Sequence, residues 1–163
     1  MSKNFWKNKK VLITGHTGFK GSWMTLILNR LGARVYGYAL DPISKPNFFD
    51  GLVLKKFLEQ DIRKNILNKK KLNQVMQKIK PNIVFHLAAQ SSVLVSYKNP
   101  TNTILTNVIG TMNVLEAINK CNSVKSAIIV TTDKVYLNLE KNKKFKEFDH
   151  LGGHDIYSGS KAA

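Results

Sequence analysis

Two groups of residues in this 163-residue chain have the types and spacing to do chemistry. The first is Gly15-His16-Thr17-Gly18-Phe19-Lys20-Gly21, three glycines set three apart. An apolar run, Val11-Leu12-Ile13-Thr14, precedes it, and Ser22-Trp23-Met24-Thr25-Leu26-Ile27-Leu28 follows it as the start of a helix. Strand, glycine turn and helix together make a phosphate cradle. Gly15 lets the chain turn sharply, Gly18 leaves room for a pyrophosphate against the backbone, and Gly21 allows close helix-to-strand packing. The helix N-terminus adds N–H groups and a partial positive charge. With Thr17, Phe19 and Lys20 completing the turn, this context predicts a dinucleotide site. The second group is Tyr157-Ser158-Gly159-Ser160-Lys161. On a helix, positions i and i+4 share a face, and an ammonium beside a phenol favours the phenolate. The pair is suited to take a proton from an alcohol while its carbon gives up hydride. A surface tyrosine beside one of many lysines is the plainer account; the cradle upstream argues against it.

The elements that must position these groups alternate. Strands are expected at Val11–Thr14, Arg34–Ala39, Phe57–Gln60, Ile83–Leu87 and Ala127–Val130, the last fully apolar. Helices are expected at Lys20–Leu31, closed by Gly32, and at Lys64–Lys80, stopped by Pro81. A loop then runs to Pro100. A longer helix follows at Thr101–Asn119, with Ile104, Val108, Met112, Leu115 and Ile118 on one stripe. Tyr136–Gly153 reads as a polar loop, and a helix begins near Asp155. Apolar strands separated by helices imply an α/β fold: a Rossmann-like, doubly wound parallel sheet of order 3-2-1-4-5, with its ligand crevice at the strands' carboxyl ends. The sheet is expected to be incomplete at the C-terminus, because the last helix has barely begun at Ala163.

Composition narrows the function classes. A hydrophobic content of 43% argues against disorder. The net charge of +16 invites a nucleic-acid partner, but 23 of the 26 basic residues are scattered lysines with no interleaved aromatic platform. The densest clusters, Lys69-Lys70-Lys71 and Lys141-Asn142-Lys143-Lys144, read as solvated surface. No nucleic-acid partner and no membrane span are expected. The single cysteine, Cys121, allows no internal disulfide, fits a cytoplasmic setting, and is expected to be a packing residue near a helix end. No His, Cys and carboxylate cluster suggests a metal.

The motifs together resemble the extended short-chain dehydrogenase/reductase superfamily, and within it the nucleotide-sugar 4,6-dehydratases. The run around His16 and Trp23, the Thr131-Thr132-Asp133-Lys134 segment and Gly152-Gly153-His154-Asp155 before Tyr157 point to the CDP-glucose branch. Further carrying segments are Asp61-Ile62-Arg63, Phe85-His86-Leu87-Ala88-Ala89-Gln90 and Thr106-Asn107-Val108-Ile109-Gly110-Thr111.

The resemblance implies a hydro-lyase acting on CDP-glucose, with NAD as a recycled hydride carrier and a homodimer for full-length members. It implies Tyr157 as the base at the C4 hydroxyl, and Lys161 holding the nicotinamide ribose and tuning Tyr157. Thr132 would bond the C4 oxygen and Asp133 would protonate the departing C6 hydroxyl. Lys134 stands where sister enzymes carry a Glu that removes the C5 proton. Cofactor contacts are implied at Asp61 and Ile62 for adenine, and at Leu87, Ala88 and Ala89 for the nicotinamide half. Asp41 is a candidate ribose contact, and His86 reads as a packing residue.

Residues 1–163 are thereby expected to form one NAD-binding domain without the sugar-binding region that makes family members about twice as long. This chain alone is expected to lack dehydratase turnover. Another NAD(P)-dependent dehydratase, of GDP-mannose type, or an epimerase on the same cofactor domain is the alternative enzyme; a non-catalytic NAD-binding module is the alternative of another class.

Overall fold

The computed structural model describes residues 3–139 and 144–163. Of the second lysine cluster, Lys141, Asn142 and Lys143 lie outside the described residues. In chain order the elements are α1 (Lys3–Trp6), β1 (Lys10–Thr14), α2 (Phe19–Arg30), β2 (Arg34–Ala39), α3 (Phe48–Gly51), β3 (Gln60–Arg63), α4 (Lys69–Ile79), β4 (Ile83–His86), α5 (Val93–Lys98), α6 (Pro100–Ile104), a π-helical segment (Leu105–Ile109), α7 (Gly110–Asn119), β5 (Ser126–Ile129) and α8 (Ile156–Ala162). The five strands are all parallel, in the order β3-β2-β1-β4-β5. The α/β class and the strand order therefore stand as expected.

The chain divides into two compact units. The first holds residues 1–88 and 112–130, and with them the whole sheet. Period-2 side chains split its core in two. Leu12, Tyr36, Tyr38 and Val84 pack with Leu72, Val75, Met76 and Ile79 of α4 and Val114 and Ala117 of α7. Val11, Ile13, Val35 and Phe85 pack with Trp6 and Leu28 on the other face. Alternation along β1 thus feeds both cores, as a sheet covered on both faces requires. Cys121 is buried in the first cluster, as a packing residue just past a helix end. The second unit holds residues 89–111 and 131–163.

Four sequence expectations shift. The third strand is Gln60–Arg63, not Phe57–Gln60, because Leu54–Phe57 forms a 3-10 turn after the left-handed Val53. This outer strand carries Gln60, Asp61 and Arg63, so apolar content could not locate it. The helix expected from Lys64 starts at Lys69, where the Asn68 side chain accepts from the Lys71 N–H at 3.0 Å; Ile66 is buried in the turn before it. The stretch before Pro100 holds α5, capped by Ser92. Most of the apolar stripe of residues 104–118 does not face the core: Ile104, Met112 and Leu115 are exposed, and Ile118 at its end packs against the core. The inward positions are Thr103, Asn107, Asn113, Val114 and Ala117, and the polar ones each have a specific partner. β5 is largely exposed, and among the described residues it pairs with β4 alone.

Candidate functional site

The cradle sits in the first unit, where β1 gives way to α2. Gly15 adopts φ +76°, and a Cβ there would come within 2.7 Å of the Ala88 nitrogen. At Gly21 a Cβ would overlap the Gly15 carbonyl oxygen and lie 2.7 Å from the His16 Cα. These two glycines are demanded by the fold itself. Gly18 differs: its Cβ would meet only the Gly15 oxygen, at 3.4 Å, and the residue is exposed. Internal packing does not need a bare backbone at Gly18, so the room there is available to a ligand. Among the described residues no side chain caps α2, which leaves the N–H groups of its first turn aimed at that room. Phe19 and Lys20 are exposed beside it, and Phe19 leans on Phe48, which stacks on Trp23 at 5.1 Å.

Thr14 ties the cradle to β4. Its hydroxyl bonds His86 Nδ1 at 2.6 Å and accepts from the Ala88 N–H at 3.3 Å, while its carbonyl accepts from the Leu87 N–H at 3.0 Å. His86 is 3% exposed, in line with the packing role expected of it. Thr17 reaches the other way, donating to the Leu40 carbonyl at 2.9 Å. That bond holds the segment after β2, and with it Asp41, against the glycine turn.

His16 was visible in sequence only as a marker of resemblance. In the structure it is fully buried and its Nε2 lies 2.8 Å from Asp61 Oδ1. Gly37 makes this possible, since a Cβ there would come 2.5 Å from the imidazole. Asp61 is also held by Arg63, whose Nε donates to Oδ1 at 2.6 Å and Nη2 to Oδ2 at 2.8 Å. Burial pushes the His16 imidazole below its ordinary value, overriding the opposite pull of Asp61. The neutral ring donates from Nε2, and its buried Nδ1 has no hydrogen-bond partner among the described residues. Burial pushes the Asp61 carboxyl up, but the bonds from Arg63 and His16 outweigh it and hold the group below the usual carboxylate range. Asp61 thus lies inside β3 as a clamp rather than after the strand, and Ile62 packs on the core.

In the second unit, Thr132, Asp133, Lys134, Tyr157 and Lys161 fall in elements that pack together: α8 rests on α5, on α6 and on the 3-10 turn Asp133–Val135. Thr132 Oγ1 donates to Asp133 Oδ1 at 3.0 Å, and Asp133 and Lys134 are exposed. Tyr157 is buried, and burial pushes the half-buried Lys161 ammonium down. Asp155 caps α8, accepting from the Ser158 N–H at 2.9 Å and from the Ser158 hydroxyl. Burial raises this carboxyl; the Ser158 bonds and the nearby Lys134 charge overcome that and leave it lowered. Asp155→Ala is expected to lower stability by about 1 kcal/mol, read as a fall in the urea midpoint.

Asn107, in the π-helical segment, supplies what sequence reasoning missed. Its side-chain oxygen accepts from the Gln90 N–H at 2.8 Å, and its amide donates to the Gln90 carbonyl at 2.9 Å and to Ser160 Oγ at 2.8 Å. Ser160 in turn donates to the Tyr157 carbonyl at 2.7 Å. One buried amide therefore fixes the inner face of the helix that carries Tyr157 and Lys161. Asn107 lies off the apolar stripe, so hydrophobic periodicity gave no sign that it faces inward. Ala89, the last of the expected nicotinamide contacts, is half-buried in this unit. Among the described residues no group of His, Cys, Asp or Glu could hold a metal, and no helix is long and apolar enough to cross a membrane.

Comparison with known proteins completes the picture. The chain is 44% identical over 161 residues to CDP-glucose 4,6-dehydratase of Salmonella typhimurium, covering 99% of this chain and 45% of that protein. Among solved structures, UDP-glucose 4-epimerase of Thermotoga maritima with UDP-glucose is 28% identical, with a TM-score of 0.78 over 94% of this chain and 48% of that one. The Thermus thermophilus UDP-glucose 4-epimerase complex with NAD is 27% identical, with a TM-score of 0.77 over 94% and 47%. The chain spans about half the length of each of these relatives. A family model described as GDP-mannose 4,6 dehydratase matches residues 12–163, so the glycine cradle and the Tyr157–Lys161 helix both fall inside it, and the chain belongs to that family.

Proposed function

We propose that this chain carries the cofactor cradle and the proton-handling residues of a nucleotide-sugar 4,6-dehydratase, with CDP-glucose as substrate and NAD as cofactor. The observation that carries the reading is the 44% identity to a CDP-glucose 4,6-dehydratase across nearly the whole chain. The spare room at Gly18, under an uncapped helix N-terminus, fits a dinucleotide pyrophosphate. When bound, NAD supplies reversible oxidation at the sugar's C4 and reduction at C6.

The chain's own residues move the protons. Tyr157 takes the C4 hydroxyl proton, and Lys161 binds the nicotinamide ribose. Thr132 bonds the C4 oxygen. The ketone formed at C4 acidifies C5–H, Lys134 occupies the position of the base that takes this proton, and Asp133 protonates the C6 hydroxyl as it leaves as water. In this reading residues 1–163 are the cofactor-binding portion. Full-length members pair as homodimers, and exposed Ile104, Leu105 and Ile109 offer apolar surface for that pairing. A cytoplasmic setting fits the single, unpaired and buried Cys121.

Titrating the purified chain with NAD by calorimetry tests the cofactor assignment, with saturable binding expected. Testing a Tyr157→Phe variant in any form of the protein that turns over CDP-glucose tests the mechanism. Loss of 4-keto product by a factor of about a thousand is expected, and retention of full turnover would remove Tyr157 from its role.

A further inference from the structure

Within the first unit, α2 carries its large apolar side chains on the outside. Its buried side holds Gly21, Ser22, Thr25 and Leu28, of which Leu28 alone is large and apolar. Small residues are required there, because Gly21 packs directly on the Gly15 and His16 backbone. The two hydroxyls are satisfied: Ser22 Oγ donates to the His16 carbonyl at 3.2 Å and Thr25 Oγ1 to the Gly21 carbonyl at 2.9 Å. On the opposite side Phe19, Trp23 and Ile27 are 68%, 43% and 46% exposed. Spaced four residues apart, they fall on one stripe of the helix. Single exposed apolar side chains are ordinary on a protein surface. Three in a row, widened by the Phe48 ring stacked on Trp23, make a contiguous apolar face.

Cations rim this face. Lys20 and Arg30 are exposed at the two ends of α2. α3 and the 3-10 turn Leu54–Phe57 pack against α2, and the turn adds exposed Lys55 and Lys56. Among the described residues none of these four cations is in an ion pair. Asp50 is the one acid on the three elements, and it accepts from Asn47. Charge complementarity therefore selects an anionic partner. A second copy is disfavoured, because a chain of net charge +16 repels its like and self-pairing would set this cationic rim against itself. Aromatic and aliphatic side chains on the outer ridge of a helix, flanked by Lys and Arg, are what a helix lying in the headgroup layer of an anionic bilayer presents.

We propose that the outer face of α2 is a peripheral docking surface for an anionic lipid bilayer. Trp23 and Ile27, with Phe19, enter the boundary between headgroups and acyl chains, and Lys20, Arg30, Lys55 and Lys56 lie against the lipid phosphates. The contact needs both of its parts, the apolar row and the charged rim, so it requires anionic lipid and weakens as salt screens the rim. It needs no nucleotide in the cradle.

Flotation of the 163-residue chain with vesicles of phosphatidylglycerol mixed with phosphatidylcholine, and with vesicles of phosphatidylcholine alone, tests this. Binding to the anionic vesicles is expected to be at least about tenfold tighter and to fall as salt is raised. Trp6 is buried in the core, so acyl chains labelled with bromine are expected to quench Trp23, and Trp23→Phe is expected to lose that quenching. Ile27→Glu is expected to lower partitioning by about tenfold while the thermal midpoint holds. Lys70→Gln makes the same change in net charge on α4, which covers the opposite face of the sheet, and is expected to stay within about twofold of wild type. Equal losses in both variants would mean that net charge alone draws the chain to lipid and would overturn the role of α2. Vesicle binding without quenching of Trp23 would place the contact on another face and overturn it too. A chain that binds neither vesicle also overturns the proposal; if that chain instead self-associates and Ile27→Glu restores the monomer, the occupant of the face is a second copy.

Discussion

Gly21→Ala is expected to abolish dinucleotide binding and to destabilise the fold by on the order of 3 kcal/mol. The methyl group would overlap the Gly15 carbonyl oxygen and press on the His16 Cα, both rigid backbone, at a residue that is itself buried. Neither side can yield cheaply. Gly15 is already in the left-handed region and touches the Ala88 backbone, while His16 is wedged over Gly37. Relief would come by prying α2 from the turn, which removes the helix N-terminus from the phosphate position. Gly18→Ala makes the informative contrast. Its Cβ meets one oxygen at 3.4 Å, so the stability change is expected to stay below about 1 kcal/mol while NAD affinity falls at least about tenfold. Thermal unfolding and calorimetry on the two variants separate a glycine the fold needs from one the ligand needs. Equal loss of stability in both would refute that division.

Asp61→Asn is the second large effect, expected at about 2 kcal/mol of lost stability. The substitution keeps the shape but leaves Arg63, only 26% exposed, without a carboxylate fork, and weakens the acceptor for the buried His16. The full cost of breaking a buried pair is discounted because Arg63 can turn partly to water and keep Asp41. A pH dependence accompanies the network. His16 binds its proton less readily folded than unfolded, its value being lowered from 6.5 by burial. The unfolded chain therefore takes up more protons as pH falls, so the His16 contribution is present above 6.5 and is lost as pH drops through the lower folded value. Asp61, also lowered, contributes above its ordinary 3.8 and loses that contribution only in stronger acid. Guanidinium midpoints at pH 7.5 and 5.5 are expected to fall less for His16→Gln than for wild type. An identical fall would show that His16 is not the group responsible.

The sheet was legible because its central strands, β1, β2 and β4, are buried on both faces and so must be continuously apolar. The outer strand β3 was misplaced because its residues answer to polar partners. Asp61 and Arg63 are chosen for one another and for His16, and hydrophobicity carries no trace of such a choice. The same reason inverted the long helix. Asn107 and Thr103 face inward because Gln90 and Ser160 satisfy them, leaving Ile104 and Met112 outside. Burial follows apolar surface only until a complete set of hydrogen bonds makes a polar face equally acceptable.

By itself the sequence determined the parallel α/β sheet, the glycine cradle, and the Tyr157–Lys161 helix with its start at Asp155. Each depends on local spacing, turn geometry or capping, which neighbours in the chain decide. Only the tertiary structure decided that Gly15 and Gly21 serve the fold while Gly18 is spare, that His16, Asp61 and Arg63 form one network, and that Asn107 holds the helix of the proposed base. Those relations join residues far apart in sequence, at distances set by how the strands and helices pack.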